Sequence, residues 1–250
     1  MTAPLKIGCF VPAYGEKVTT HLLVQSAADR RSVASAGHEY TFWSNHSCDL
    51  VALRNAAALK AATEGYDFLL MQDADVYSAA KGGPLIRLLA TALETGACVT
   101  GALVTMRTHP PRANAWTADG SLIKPGTVFE CSKIGSGMIL LDMRQIRAWW
   151  GVSYMGPLFD VVYEVFTNKE TGEQFQPKTK KAIGMDIWFS KLVREMGQSV
   201  WCDARIPASH VDDMYSHDYD GQTIPDLAGS PGSTDPAVLG ANATAAQTGD

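Results

Sequence analysis

Two carboxylates stand one residue apart at Asp73 and Asp75, where the apolar run Phe68 to Met71 stops. In extended backbone, residues two apart point to the same side, so both side chains are expected to project together from the carboxyl end of a buried strand. Open α/β sheets bind their ligands at that edge. Two anions held this close repel unless a cation or a ring of donors compensates them, which makes a hard divalent ion such as Mg2+ or Mn2+ a natural guest. An Asp-x-Asp triplet is also an ordinary solvated turn, because Asp is common in turns. Other residues with chemistry to offer are Arg54, the segment Gly135-Ser136-Gly137, Asp186 and His210. Each has a plain reading beside the functional one: a solvated helix residue for Arg54, a helix N-cap for Asp186 and a surface imidazole for His210.

The elements that must position these residues follow a strand and helix alternation. Ile7 to Val11 reads as a buried strand closed by Pro12, and Ala13, Tyr14, Gly15 and Glu16 form a turn with an aromatic ring and a carboxylate. Thr19 to Ala36 reads as a helix with Leu22, Leu23, Ala27 and Val33 on its apolar side, and Tyr40 to Trp43 as the second strand. A helix capped by Ser47 or Asp49 places Leu50, Leu53, Ala57 and Ala61 on the core and carries Arg54 and Asn55 in its first half. The strand ending at Asp73 follows, so strand, helix and strand make one crossover unit. Pro84 to Glu94 is a further helix, Cys98 to Met106 a further strand, and Met138 to Leu141 another, with tight glycines ahead of it. Residues 107–133 carry short strand-like pieces. The charged stretch from Phe159 to Ala182 reads as a loop with the makings of a lid. Gly184-Met185-Asp186 opens a helix in which Phe189, Leu192, Val193 and Met196 repeat, Val200 to Cys202 is the last strand, and a loop carries His210. The expectation is one α/β domain over residues 1–228, with a nucleotide-binding half at 1–106 and an acceptor half at 107–228, and a low-complexity tail at 229–250.

Composition excludes several classes. With 250 residues and 46% hydrophobic content the chain can bury a full core. A net charge of −5 gives no global basic footprint for nucleic acid or an anionic membrane, so such contacts must be local. Five scattered cysteines without a Cys-x-x-Cys pair argue against a zinc knuckle or a disulfide framework and fit a reducing cytoplasm. No signal peptide or apolar run of membrane-spanning length is visible, so a soluble, cytoplasmic protein, monomeric or weakly associating, is expected.

Taken in order, these landmarks resemble those of the GT-A glycosyltransferases, in particular family-2-like members, which move a sugar from a nucleotide-sugar donor. The resemblance runs from about Lys6 to His210. It implies a Rossmann-like fold with a mixed central sheet. Val11-Pro12-Ala13-Tyr14-Gly15-Glu16 is similar to the motif whose loop contacts the nucleotide, and Arg54-Asn55 to the pair on the next helix. Asp73-Ala74-Asp75 is similar to the metal motif, in which the second carboxylate binds the ion directly and the first reaches the ribose or ion through water. Gly135-Ser136-Gly137 and Met185-Asp186, with Trp188 beyond, are similar to acceptor-side segments, and His210 to a late histidine that completes the metal site. Two departures stand out: Met185 replaces the usual Glu, and Ser44-Asn45 replaces carboxylates that often read the base or ribose.

The resemblance therefore implies metal-dependent transfer from a nucleotide sugar, a UDP-sugar first, with Mn2+ or Mg2+ on Asp75 and His210 and with Asp186 as base for an inverting reaction. A helix N-terminus is expected to favour the ionised form of Asp186 and so lower its basicity. Compact GT-A enzymes without an anchor resemble phage enzymes that glucosylate 5-hydroxymethylcytosine in DNA. The local cations Arg107, His109, Arg112, Lys178, Lys180 and Lys181 could meet phosphates there. A saccharide, a lipid-linked saccharide or a protein is an alternative acceptor, and an inactive nucleotide- or glycan-binding module is the alternative of another class. A dinucleotide dehydrogenase fits worse, because the only Gly-x-Gly lies far from the first strand, and a sugar-nucleotide nucleotidylyltransferase is a closer rival, but the chain lacks a Gly-rich, basic loop after strand one for a triphosphate.

Overall fold

The strand segments are apolar on successive residues, and that pattern splits the core in two. In the computed structural model, which describes residues 3–13, 19–47, 49–106, 108, 112–163, 166–167, 174–175 and 182–210, the strand side chains alternate between two apolar layers. Ile7, Cys9, Val11, Phe68, Leu70, Met138 and Leu140 enter one layer; Phe10, Leu69, Met71, Ile139 and Leu141 enter the other. A strand buried on both faces needs apolar residues at every position, which explains why Phe68 to Met71 shows no alternation in sequence.

In chain order the elements are β1 (Lys6–Pro12), α1 (Thr20–Ser35), β2 (Glu39–Asn45), α2 (Leu50–Thr63), β3 (Phe68–Gln72), β4 (Val76–Tyr77), α3 (Pro84–Thr95) and β5 (Val99–Met106). Then come β6 (Arg112–Ala113), β7 (Ala115–Thr117), β8 (Val128–Ile134), β9 (Met138–Asp142), α4 (Met143–Trp149), four two-residue strands β10 (Val162–Tyr163), β11 (Phe166–Thr167), β12 (Gln174–Phe175) and β13 (Ala182–Ile183), α5 (Met185–Glu195) and β14 (Val200–His210). The ten-stranded sheet runs β2-β1-β3-β9-β5-β14-β8-β7, with β4 added to β14 and β6 to β5. β2, β1 and β3 are parallel, β9 is antiparallel to both β3 and β5, and β5 and β14 are parallel. The sheet is mixed, as the resemblance implies. Helices α1 and α3 cover one face through Leu22, Val33, Leu85, Leu88 and Leu89; α2, α4 and α5 cover the other through Leu53, Ala57, Ile146, Phe189 and Leu192. No helix among the described residues is long and apolar enough to cross a membrane.

Two expectations need correction. His210 does not sit on a loop: β14 continues through eleven residues to His210, with a bulge between Asp203 and Pro207 that the sequence pattern disguises as a strand end. The buried Asp203 carboxylate holds that bulge, accepting hydrogen bonds from Thr91 Oγ1 (2.6 Å) and from Arg205 Nε (2.9 Å) and backbone N (3.0 Å). The second correction concerns α1, whose buried positions are Leu22, Gln25, Asp29 and Val33, while Leu23 is 54% exposed and Ala27 faces solvent. Leu22 and Val33 face inward as expected, but two polar residues, Gln25 and Asp29, share the inward stripe in place of Leu23 and Ala27. Most of the lid expected within 159–182 lies outside the described residues, as do Tyr14, Glu16, Arg107, His109, Lys178, Lys180, Lys181 and the tail at 229–250.

Asp29 shows why a polar residue is buried there. Helix α3 starts at Gly83, which has φ +88° and no side chain to cap with, and Asp29 Oδ1 takes the Leu85 N–H instead (3.0 Å). A Cβ at Gly83 would lie 2.1 Å from Asp29 Oδ1, so the cap from α1 requires glycine. Burial pushes the Asp29 carboxyl up to about 7, against the lowering effect of the Leu85 and Gln25 hydrogen bonds. An acid raised in the folded state contributes stability at low pH that is lost as pH rises from the unfolded value of 3.8 through about 7. Asp29→Asn is expected to remove that loss, on the order of 4 kcal/mol at 1.36 kcal/mol per pKa unit. Urea unfolding of both proteins at pH 5 and pH 8 checks it: the variant's advantage should grow with pH.

Candidate functional site

Asp73 and Asp75 leave β3 on a turn rather than in extended backbone. The Val76 N–H closes that turn on the Asp73 carbonyl (3.1 Å), and Thr19 Oγ1 donates to the Ala74 carbonyl (3.2 Å). The two carboxylates therefore part company, contrary to the expectation that they project together. Asp73 pairs with Arg54 of α2, and Asp75 Oδ2 lies 3.5 Å from His210 Nδ1 at the end of β14. Short β4 makes the second pairing possible, since Val76 is opposite His210 and Tyr77 opposite Ser209.

Arg54 is no solvated helix residue. Its side chain is 1% exposed, and its guanidinium donates to Asp73 Oδ1 and Ser136 Oγ and lies over the Phe159 ring, 5.9 Å from centroid to Cζ. The neighbouring Asn55 clasps the Phe159 backbone in both directions, donating to its carbonyl (2.8 Å) and accepting from its N–H (3.0 Å). Gly137 completes the tie, its carbonyl accepting the Asp73 N–H at 2.9 Å. Arg54 thus joins the β3–β4 turn to the Gly135-Ser136-Gly137 turn ahead of β9. Removing one partner of a buried ion pair is expensive, and the partial exposure of Asp73 places Arg54→Met near the lower end of the known range, a loss of about 3 kcal/mol. Arg54→Lys should recover little of it, because a single ammonium nitrogen cannot stand in for the two guanidinium nitrogens that reach Ser136 and Asp73 separately. Urea unfolding measures both, and a loss below about 1 kcal/mol for Arg54→Met would contradict the pairing's weight.

Asp186 occupies the second position of α5, behind the N-cap Gly184, and its Oδ1 accepts the Ile187 N–H at 2.8 Å. It is therefore not the N-cap. Burial raises its pKa, more than the Ile187 hydrogen bond and the Arg54 charge lower it, and the nearby Asp73 charge adds to the rise. The expected lowering by the helix terminus is overturned by desolvation.

Several of these groups face one cavity of about 770 Å3 at the carboxyl edge of β3, β5 and β14. Arg54, Asp73, Gly135, Ser136, Gly137, Met185, Asp186 and His210 line it. Asp75, Trp188, Arg112, Ala74, Pro12 and Ala13 are not among its lining residues, so Asp75 meets the cavity only through His210; Ala13 instead donates its N–H to the Asn45 carbonyl (2.9 Å) at the end of β1. Sequence reasoning missed Asp49, Leu50 and Val51 at the start of α2, together with Val104, Met106, Asn114 and Val161. The Asp49 cap, which accepts the Ala52 N–H at 2.9 Å, was the available signal that α2 starts at the ligand edge. Asn114 gave none: its amide braces Val104 N (2.9 Å) and the Gly135 carbonyl (3.1 Å), contacts that only the folded chain creates.

Asp75 and His210 suit a divalent ion. His210 Nδ1 is buried without a hydrogen-bond partner, beside a carboxylate oxygen. Among the described residues no group of three or more His, Cys, Asp or Glu is placed to hold a metal.

No protein-family model and no curated protein matches the chain. Solved structures do. The structure of A197 from STIV superposes with a TM-score of 0.54 at 17% identity, over 84% of this chain and 87% of that one. A glycosyltransferase involved in the glycosylation of the major capsid of PBCV-1 gives 0.34 at 12% identity over 61% and 69%. UTP-bound UGPase from Acinetobacter baumannii gives 0.47 at 9% identity over 82% and 88%. The likeness to A197 establishes the fold, and the chain accordingly has a mixed-sheet α/β architecture shared with that protein.

Proposed function

We propose that this protein transfers a sugar from a nucleoside-diphosphate sugar, a UDP-sugar first, to an acceptor hydroxyl, with Mn2+ or Mg2+ held by Asp75 and His210. The observation that carries the reading is the meeting of Asp75 and His210, 3.5 Å apart, with His210, though not Asp75 itself, lining the cavity that Asp186 also lines. Charge balance supports it. The described lining carries Asp49, Asp73 and Asp186, and its one guanidinium, Arg54, is committed to Asp73 and Ser136. A diphosphate entering such a site needs a cation with it. The N-termini of α2 and α5 also open onto the cavity, presenting backbone N–H groups that favour phosphate oxygens.

When bound, the ion neutralises charge gathering on the diphosphate as the anomeric C–O bond breaks. Asp73 keeps its turn in place through Arg54 and offers a carboxylate oxygen to a donor hydroxyl. Asp186 takes the proton of the acceptor hydroxyl as it attacks, and a single carboxylate in that role fits inversion. Leu50, Val51, Val161 and Met185 give the acceptor side an apolar wall, which suits the flat face of a base or of a sugar ring. 5-Hydroxymethylcytosine in DNA is the acceptor we put forward first; it would have to be flipped out of a duplex. Saccharides, lipid-linked or free, and proteins are the competing acceptors.

The test is donor hydrolysis across common nucleotide sugars with Mn2+, with and without EDTA, followed by mass analysis of hydroxymethylated DNA and simple glycans. Metal-dependent release of a nucleoside diphosphate supports the reading. Ligand binding with no turnover on any donor or acceptor would favour a binding module instead. Transfer to glycans but not to hydroxymethylated DNA would remove the DNA acceptor alone.

A further inference from the structure

We infer that Gln25, Gln72 and Ser78, none of which touches the cavity, position the Asp75–His210 pair for its divalent ion; the inference rests on the metal reading above. Strand β4 is the element that needs restraint. It is two residues long and antiparallel only to the end of β14, where Val76 faces His210. Two residues of ladder cannot hold a strand in place unaided. Yet Asp75 immediately precedes Val76, so the distance from carboxylate to imidazole depends on where β4 sits.

Buried polar side chains supply the missing restraint at both ends of β4. Ahead of it, Gln72 Nε2 donates to the Val76 carbonyl (2.7 Å), reaching across the Asp73–Asp75 turn from the end of β3. Behind it, the Ser78 N–H donates to Gln25 Oε1 (2.9 Å), and Ser78 Oγ donates to the Pro207 carbonyl of β14 (2.8 Å). Gln25 joins the two ends, its Nε2 donating to Gln72 Oε1 at 2.8 Å. Gln25, Gln72 and Ser78 are each at most 3% exposed, and each amide has both its carbonyl oxygen and its nitrogen engaged. α1, β3, β4 and β14 are thereby locked together around the turn that carries Asp75. This explains why an inward position of α1 holds a glutamine. An apolar residue there would fill the core equally well and leave Gln72 Oε1 and the Ser78 N–H buried without partners.

Partners behind metal ligands set ligand geometry, and their loss commonly weakens metal binding about 10- to 100-fold. Mn2+ alone, titrated against the full chain and followed by electron paramagnetic resonance, is the probe. Wild type should bind, Asp75→Ala should lose binding, and Gln25→Met should bind about 10- to 100-fold more weakly while its near-ultraviolet circular dichroism stays native. A purely structural network would leave Mn2+ affinity alone. Hydrogen exchange on wild type supplies a readout that needs no variant to fold: saturating Mn2+ should slow exchange at the Ser78 amide and leave the Ala118 amide, in the β7–β8 region, unchanged. Native Gln25→Met with wild-type Mn2+ affinity, or Ser78 exchange unmoved by Mn2+, overturns the inference while the metal site stands. Equal binding by wild type and Asp75→Ala, or no binding by either, overturns the metal reading and the inference with it.

Discussion

Asp75→Ala is expected to lower metal-dependent turnover of the nucleotide sugar at least about a thousandfold. The ion is asked for several kcal/mol of charge stabilisation on the leaving diphosphate, and each 1.36 kcal/mol is about tenfold in rate. The proposed site has two protein ligands among the described residues, Asp75 and His210, so loss of either should be costly. His210→Ala should fall by a similar factor, and the double variant little further, because two ligands of one ion act as a unit. Fold stability should change little, since the Asp75 side chain is 36% exposed and partly exposed polar contacts contribute little. Steady-state release of nucleoside diphosphate at saturating and limiting Mn2+ checks these outcomes. Wild-type turnover by Asp75→Ala would end the metal assignment. A binding module without chemistry would behave differently again, keeping nucleotide affinity in the variant with no rate to lose.

Asp186→Asn should reduce transfer to an acceptor by about 10²- to 10⁴-fold, the usual contribution of a positioned base, while leaving Mn2+ binding intact. Asparagine preserves the oxygen that accepts the Ile187 N–H, so the start of α5 should survive. The pH dependence carries more information. Asp186 accepts a proton only when ionised, and burial holds its pKa above the ordinary carboxylate range. Transfer should therefore rise with pH through a limb lying higher than an exposed aspartate would give, and that limb should vanish in Asp186→Asn. Arg54→Met, by removing a charge that lowers the Asp186 pKa, should move the limb further up in whatever fraction remains folded. Rate profiles against pH under single-turnover conditions measure both. A limb that persists unchanged in Asp186→Asn would assign the base elsewhere.

Much of the fold was legible because its signals are local. Phe68 to Met71 could be read as a doubly buried strand, Asp49 as a cap and Gly96 as a helix stop, here with φ +67°, since each depends on a few neighbouring residues. Where the reading failed, a distant partner had reversed a local preference. Gln25 and Asp29 face inward because Gln72, Ser78 and the start of α3 need partners there. β14 runs on to His210 because Asp203, Thr91 and Arg205 hold a bulge that resembles a loop in sequence. Asp186 is raised rather than lowered because burial, a property of the packed whole, outweighs the helix terminus on which it sits.

By itself the sequence determined which chemical groups are present and their order: an Asp-x-Asp at a strand end, an Arg-Asn pair on a helix, a glycine turn, Asp186 at a helix start and the late histidine His210. Those are properties of residue type and spacing along a few turns or strands. Only the tertiary structure decided that Asp73 turns to Arg54 while Asp75 meets His210. A tight turn sends neighbouring side chains in different directions, and only the pairing of β4 with the far end of β14 brings the carboxylate to the imidazole.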